Sequence, residues 1–358
     1  MSGRTKRILY TVFMTVTGLV AVAGTILVGF FGVIQDADQT LGCSIALVIF
    51  ALFCIFLPPN VLIHECGHLC FGALFGMQFV SVSVSRLQIS KQGLRRLGKR
   101  AVAGEARMLP RNENKIRLKS AFYSIGGAVF NLIYGAVFLV LFFLVPIHPV
   151  LFFFELSAPL NLYEGISALY PAESDAGRTD GKMICEFIKN TDYSKVFLSV
   201  TVAQGILQKK NFSEIPRRML FDLPVIREDE PAFLALTQLR WQYLFWHQDE
   251  KGAKEQIKRL ENLSEYLSDP VAAAELYCEF SYAESVFFSC TTQAEQYLKQ
   301  AESAKGTNVY LLAEYAETQE GKENLQSALN AEPTAGIKDL YGALLSRADK
   351  KIPPESGN

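Results

Sequence analysis

The chain has 358 residues, with 35 Lys or Arg against 36 Asp or Glu, and half of its residues are hydrophobic. A formal net charge of −1, with no basic face dense enough to neutralise a run of phosphates, argues against nucleic acid as a partner. Composition divides the chain into a first half rich in Phe, Leu, Val and Gly and a second rich in Glu, Lys, Gln and Ala, and the length suits two domains.

The first predicted element is an apolar run from Ile8 to Ile34 that follows Arg4, Lys6 and Arg7. Its basic start resembles a signal peptide. The run is too long for an apolar core of about 7–15 residues, and no small-x-small cleavage site precedes an exported domain, so it reads as a retained transmembrane helix. A second apolar stretch, 41 to 76, is too long for one simple span. It contains Pro58-Pro59, which predicts a break between a helix over 41–57 and another over 60–76.

The second of these helices carries His64-Glu65-Cys66-Gly67-His68, an HExxH pattern. Glu65 is the only formally charged residue between Asp38 and Arg86, and a carboxylate at bilayer depth is costly unless it has a partner or a function. On a helix, histidines four apart share one face and can ligate one zinc, while Glu65 beside the first can activate water as general base. The bland alternative is a pair of satisfied core histidines. With four histidines in the whole chain, two of them around a Glu in its most apolar part favour a metal. Cys66 stands at the wrong helical angle to join them, and Cys70 reads as a packing residue. The seven cysteines show no CxxC pair and no disulfide-like spacing, which fits reduced thiols in a cytosol-facing protein.

The connector from Gln78 to Lys119 carries eleven Lys or Arg against Glu105 and Glu113, which predicts a cytoplasmic loop. Within it, Phe79 to Ser90 alternates Val80, Val82 and Val84 with Ser81, Ser83 and Ser85, the period of a strand. Such a strand either pairs with an extended substrate at its edge or forms a small hairpin that packs on the membrane face. Apolar segments at 119–145 and 149–171 complete four predicted spans, and the connectors at 35–40 and 146–148 carry no Lys or Arg. Both termini are then cytoplasmic, and the two histidines lie toward the cytoplasmic end of their helix, near where the fourth span emerges. A third ligand is expected there, from Glu173, Asp175 or Asp180. Asp180 leads, because Asp-Gly before Met183 and Ile184 can present a carboxylate at a helix N-terminus.

Three elements together resemble the site-2 protease family of intramembrane zinc metalloproteases, over roughly residues 41 to 190. They are HECGH at 64–68, Gly126-Gly127-Ala128-Val129-Phe130-Asn131, and Thr179-Asp180-Gly181. The resemblance implies an α-helical membrane protein with a four-span metalloprotease core and a small β element. It implies that His64, His68 and Asp180 bind Zn2+, that Glu65 activates water, and that Asn131 is a further catalytic residue near the site. The chain departs from the family where Asn-x-x-Pro is expected before Asp-Gly: it has Ala168-Leu169-Tyr170-Pro171, with Asn161 as a displaced substitute, and this leaves Asp175 as an alternative ligand. Asn131 has a plainer reading too, as a hydrogen-bonding residue between helices, and Gly126 and Gly127 read as sites of close helix packing. The short membrane core resembles prokaryotic members, which implies a bacterial cell membrane.

From Lys182 onward no apolar run is long enough to span, and amphipathic segments alternate with polar breaks. Helices are predicted at 182–190, 194–209, 230–247, 251–267, 270–288, 291–304, 307–318, 321–331 and 334–348. The expected division is a membrane-embedded domain over 1–190, a soluble, cytosolic all-α domain over 191–350, and a disordered tail over 351–358. Segments 294–301 and 322–333 resemble tetratricopeptide-like repeats, whose stacked helices offer a groove for a protein or peptide ligand. Trp241, Tyr243 and Trp246 are either groove or core residues.

These features predict an intramembrane zinc endopeptidase that cleaves a single-pass membrane protein or a membrane-associated peptide in the lipid bilayer. The rival is a catalytically inactive, membrane-anchored interaction protein that works through its helical repeats. Glu65 separates them, since a dead copy is expected to lose it first. A metal transporter would need more membrane-embedded ligands than the other apolar segments provide.

Overall fold

The computed structural model describes residues 3–34, 38–91, 93–96, 102–174, 177–266 and 270–351. The chain is mostly helical with a small antiparallel sheet, and it divides into two compact units. One comprises Met1–Leu109 and Asn114–Thr191, the other Pro110–Glu113 and Asp192–Asn358. Of the segment expected as a tail, residues 352–358 lie outside the described residues.

The first unit opens with helix α1 (Gly3–Ile34) and α2 (Thr40–Phe56). Helix α2 ends with its C-cap at Leu57, ahead of Pro58, and Pro59 starts α3 (Pro59–Leu74), where its missing N–H costs no helical hydrogen bond. The two helices meet at 62°, so the predicted break is present. Helix α4 (Ile116–Leu144) packs along α3. Their crossing is backbone to backbone: a β-carbon on Gly67 would lie 2.3 Å from the carbonyl oxygen of Gly126.

The fourth apolar segment is not one helix. Ser157 separates α5 (Pro149–Leu156) from α6 (Ala158–Leu169), and Pro159 sits in the first turn of the second. Among the described residues, Ile8–Ile34 and Ile116–Leu144 are long and apolar enough to cross a membrane, and a third span is added if the bent α2–α3 pair counts as one. Glu155 in α5 is buried, and neither of its carboxylate oxygens has a hydrogen-bond partner. An apolar cavity of about 500 Å³ lies between α1, α4 and α6, with Val28, Phe31, Leu139 and Tyr163 in its wall.

The sheet lies between α3 and α4 in the chain. Strands β1 (Gln78–Ser85), β2 (Leu87–Ser90), β3 (Gly93–Arg96) and β4 (Val102–Leu109) are antiparallel in the order β3-β2-β1-β4. The Val/Ser alternation does make β1, but Ser85 takes a left-handed φ of 55° and the chain turns at Arg86. The stretch predicted over 79–90 is therefore a hairpin, with Val82 opposite Ile89 and β1 interior to the sheet. A two-stranded hairpin, β5 (Glu173–Ser174) and β6 (Gly177–Arg178), leads into α7 (Asp180–Lys189).

The second unit is helical: α8 (Asp192–Leu207), α9 (Arg218–Phe221), α10 (Pro231–Trp246), α11 (Glu250–Asn262), α12 (Pro270–Ala283), α13 (Thr291–Gln300), α14 (Asn308–Thr318), α15 (Lys322–Ala331) and α16 (Ala335–Lys351). Side-chain caps start several of them: Asp249 accepts from the N–H of Gly252, and Thr307 from that of Tyr310. Helix α12 continues as a π-helical turn, Glu284–Phe288, and ends at Ser289 with φ 56°. Helix α10 packs on α11, and α12 on α13 and α14. Trp241 and Tyr243 are buried, so they are core residues and do not line an open groove.

The core of this unit holds a buried carboxyl. Glu279 accepts from Trp241 Nε1 at 2.8 Å, Gln238 Nε2 at 2.8 Å and Gln242 Nε2 at 3.0 Å. Burial outweighs these three donors and, helped by nearby Glu275, pushes the group from 4.5 up to about 7. The stability this contributes is full below about pH 4.5 and is lost as pH rises through about 7. Since Trp241 and Trp246 are the only tryptophans, intrinsic fluorescence is expected to show a transition near pH 7. Glu279→Gln is expected to abolish it, and a transition that persists in the variant contradicts this assignment.

Candidate metal centre

Helix α3 places His64 and His68 one turn apart, both buried, with Glu65 buried beside them. The third group arrives from far along the chain. Thr179 caps α7: its hydroxyl accepts from the N–H of Lys182 at 3.3 Å and donates to the carbonyl of Tyr170 at 2.6 Å, which ties the start of α7 to the end of α6. Asp180, the first residue of α7, thereby meets the histidines. Its Oδ2 lies 3.0 Å from His64 Nε2 and 3.4 Å from His68 Nε2, and the two Nε2 atoms are 3.1 Å apart.

Those three edges test whether a metal fits. Ligands about 2.0–2.1 Å from a tetrahedral zinc stand about 3.4 Å apart, so a triangle of two imidazole nitrogens and one carboxylate oxygen with sides of 3.0–3.4 Å is close to one face of such a site. The donor set, neutral imidazoles and a hard carboxylate, suits zinc and leaves a fourth position open. Among the described residues, this is the one group of three or more His, Cys, Asp or Glu side chains placed to share a metal.

The atoms behind the ligands orient them. His68 Nδ1 lies 2.7 Å from the carbonyl oxygen of Tyr123, so this nitrogen carries the proton and Nε2 keeps its lone pair toward the triangle. His64 Nδ1 lies 3.3 Å from the amide nitrogen of Asn131, while Asn131 Oδ1 is buried without a partner. Turning that amide over would give the Nδ1–H of His64 its acceptor. Asn131 therefore stands behind a ligand, away from the open face. Gly127 closes the back of the site: a β-carbon there would lie 2.6 Å from His64 Nε2 and 2.7 Å from His68 Nε2.

The other expected residues lie elsewhere. Glu173 pairs with Arg178 at 3.2 Å across the β5–β6 hairpin, and Asp175 lies outside the described residues. Asn161 is buried in α6 and donates to the carbonyl of Ser157 at 2.9 Å. Cys66 and Cys70 are exposed on α3, turned away from the ligands. Two groups had no sequence signal: the carbonyl of Tyr123, and the N–H of Ala106 in β4, which donates to the Glu65 carboxylate.

Comparison of the chain with protein-family models, with curated proteins and with solved structures finds no match.

Proposed function

We propose that this chain is an intramembrane zinc endopeptidase of the site-2 protease kind. The observation that carries the reading is the convergence of His64, His68 and Asp180, residues 116 apart in sequence at their extremes, on one triangle beside Glu65, the histidines buried and Asp180 half-buried. A zinc ion held there would act as a Lewis acid on the scissile carbonyl and lower the pKa of its water. Glu65 would take a proton from the attacking water and return it to the leaving amine. Tyr123 and Asn131 would hold the imidazoles in the tautomer that binds metal. The apolar surroundings would exclude competing water, and a substrate helix would have to unwind to expose its carbonyl.

In this reading the four apolar segments embed the first unit in a cell membrane with the basic 78–119 connector on the cytoplasmic side. The substrate is a single-pass membrane protein or membrane-associated peptide. The second unit is cytosolic and offers helical, tetratricopeptide-like surfaces to a protein or peptide ligand. Because β1 is interior, substrate pairing along it is not part of the proposal.

The test is metal removal from the purified full chain. Cleavage of a single-pass reporter, with an apolar span of about 20 residues broken by a central Gly pair, should disappear on chelation and return with zinc. Cleavage that survives complete metal removal would contradict the proposal.

A further inference from the structure

Strand β4 does more than border the metal helix. Ala106 sits opposite Val82 of β1, yet both of its backbone polar groups serve the other side. Its N–H donates to the Glu65 carboxylate, and its carbonyl accepts the hydroxyl of Tyr123. Two residues on, the N–H of Met108 donates to the same hydroxyl. Two residues back, a β-carbon on Gly104 would lie 2.3 Å from Glu65 Oε1 and 2.5 Å from Val61 Cγ1. The strand therefore presses on the carboxylate with the one residue type that leaves it room, and a charge-assisted hydrogen bond sets its direction.

Tyr123 touches both halves of this arrangement. Its carbonyl accepts from Nδ1 of His68, and its hydroxyl binds two consecutive outward-facing positions of β4. We propose that Tyr123 is a positioning residue: it clamps β4 so that Ala106 and Gly104 hold the Glu65 carboxylate at the metal centre. The inference rests on the hydrolytic reading for its purpose, and on the β4 contacts alone for its geometry.

Tyr123→Phe removes the hydroxyl and keeps the carbonyl that orients His68. In the zinc-loaded full chain, with the reporter above, kcat should fall by about 10- to 100-fold with KM within about twofold and zinc content unchanged. Placed on Glu65→Gln, the same change should cause no further loss, because it acts through that carboxylate. In the metal-free chain, amide hydrogen exchange over 102–109 should be faster in Tyr123→Phe than in wild type. Gly104→Ala should reproduce the kcat loss with the hydroxyl intact. Unchanged kcat, unchanged exchange, or an equal further loss on Glu65→Gln would overturn the clamp. A zinc-loaded wild type that cuts no reporter but shows the exchange contrast would overturn the hydrolytic reading and with it the catalytic purpose of the clamp, leaving its geometry supported.

Discussion

Glu65→Gln is expected to keep about one metal per chain and to lower the rate of cleavage by a factor of about 10²–10⁴. The side chain keeps its size and still offers a carbonyl oxygen to the N–H of Ala106, so β4 and the ligand helix have no reason to move. What is lost is the proton acceptor. The ligands His64, His68 and Asp180 are untouched, since their contacts are to one another and to Tyr123 and Asn131. Metal content and kcat measured on the same preparation check this. A variant that cuts within about threefold of wild type removes Glu65 from the mechanism, and one that loses the metal makes it a structural element of the site.

Gly127→Ala is expected to weaken zinc binding by about 100-fold or more. Alanine favours a helix over glycine, so α4 itself should not suffer. The added methyl would instead arrive 2.6–2.7 Å from the nitrogens that must face the metal. Neither imidazole can withdraw cheaply, because Tyr123 holds one and Asn131 stands against the other. Nor can α4 retreat without opening its close backbone packing against α3 at Gly126 and Gly67. Competition with a zinc chelator of known affinity measures the effect. Wild-type affinity in the variant would contradict the placement of Gly127 against the ligand nitrogens.

The parts of this site that were legible in the sequence obey local rules. Histidines four apart share a helix face, Pro58-Pro59 breaks a helix, and Asp180-Gly181 before Met183 and Ile184 reads as a helix N-terminus; the structure has all three. The helices of the second unit were legible for a similar reason, since amphipathic segments alternate with polar breaks. The short Phe212–Glu214 and Arg218–Phe221 turns hold too few residues to show a period.

Other features depend on contacts that sequence spacing does not encode. The support given by Tyr123 to His68 is a backbone carbonyl, which every residue carries, and its grip on Ala106 spans 17 residues and a strand register. The left-handed turn at Ser85, which decides for the hairpin among the two readings open for 79–90, is made by a residue with no strong preference for it. The break at Ser157 did have a signal, because Pro159 has no N–H to continue a helix and fits only a first helical turn, but the uniform hydropathy of 149–171 concealed two short helices. The pairing of His64 with Asp180 needed a topology as well as a motif.

The most direct test of the metal centre is the X-ray absorption spectrum of zinc bound to the full-length chain in detergent. Two imidazole nitrogens and one carboxylate oxygen, all at about 2.0–2.1 Å, with the signal lost in Asp180→Ala, are the expected result. Sulfur neighbours at about 2.3 Å would move the site to Cys66 and Cys70, and a chain that binds no zinc at all would contradict the account.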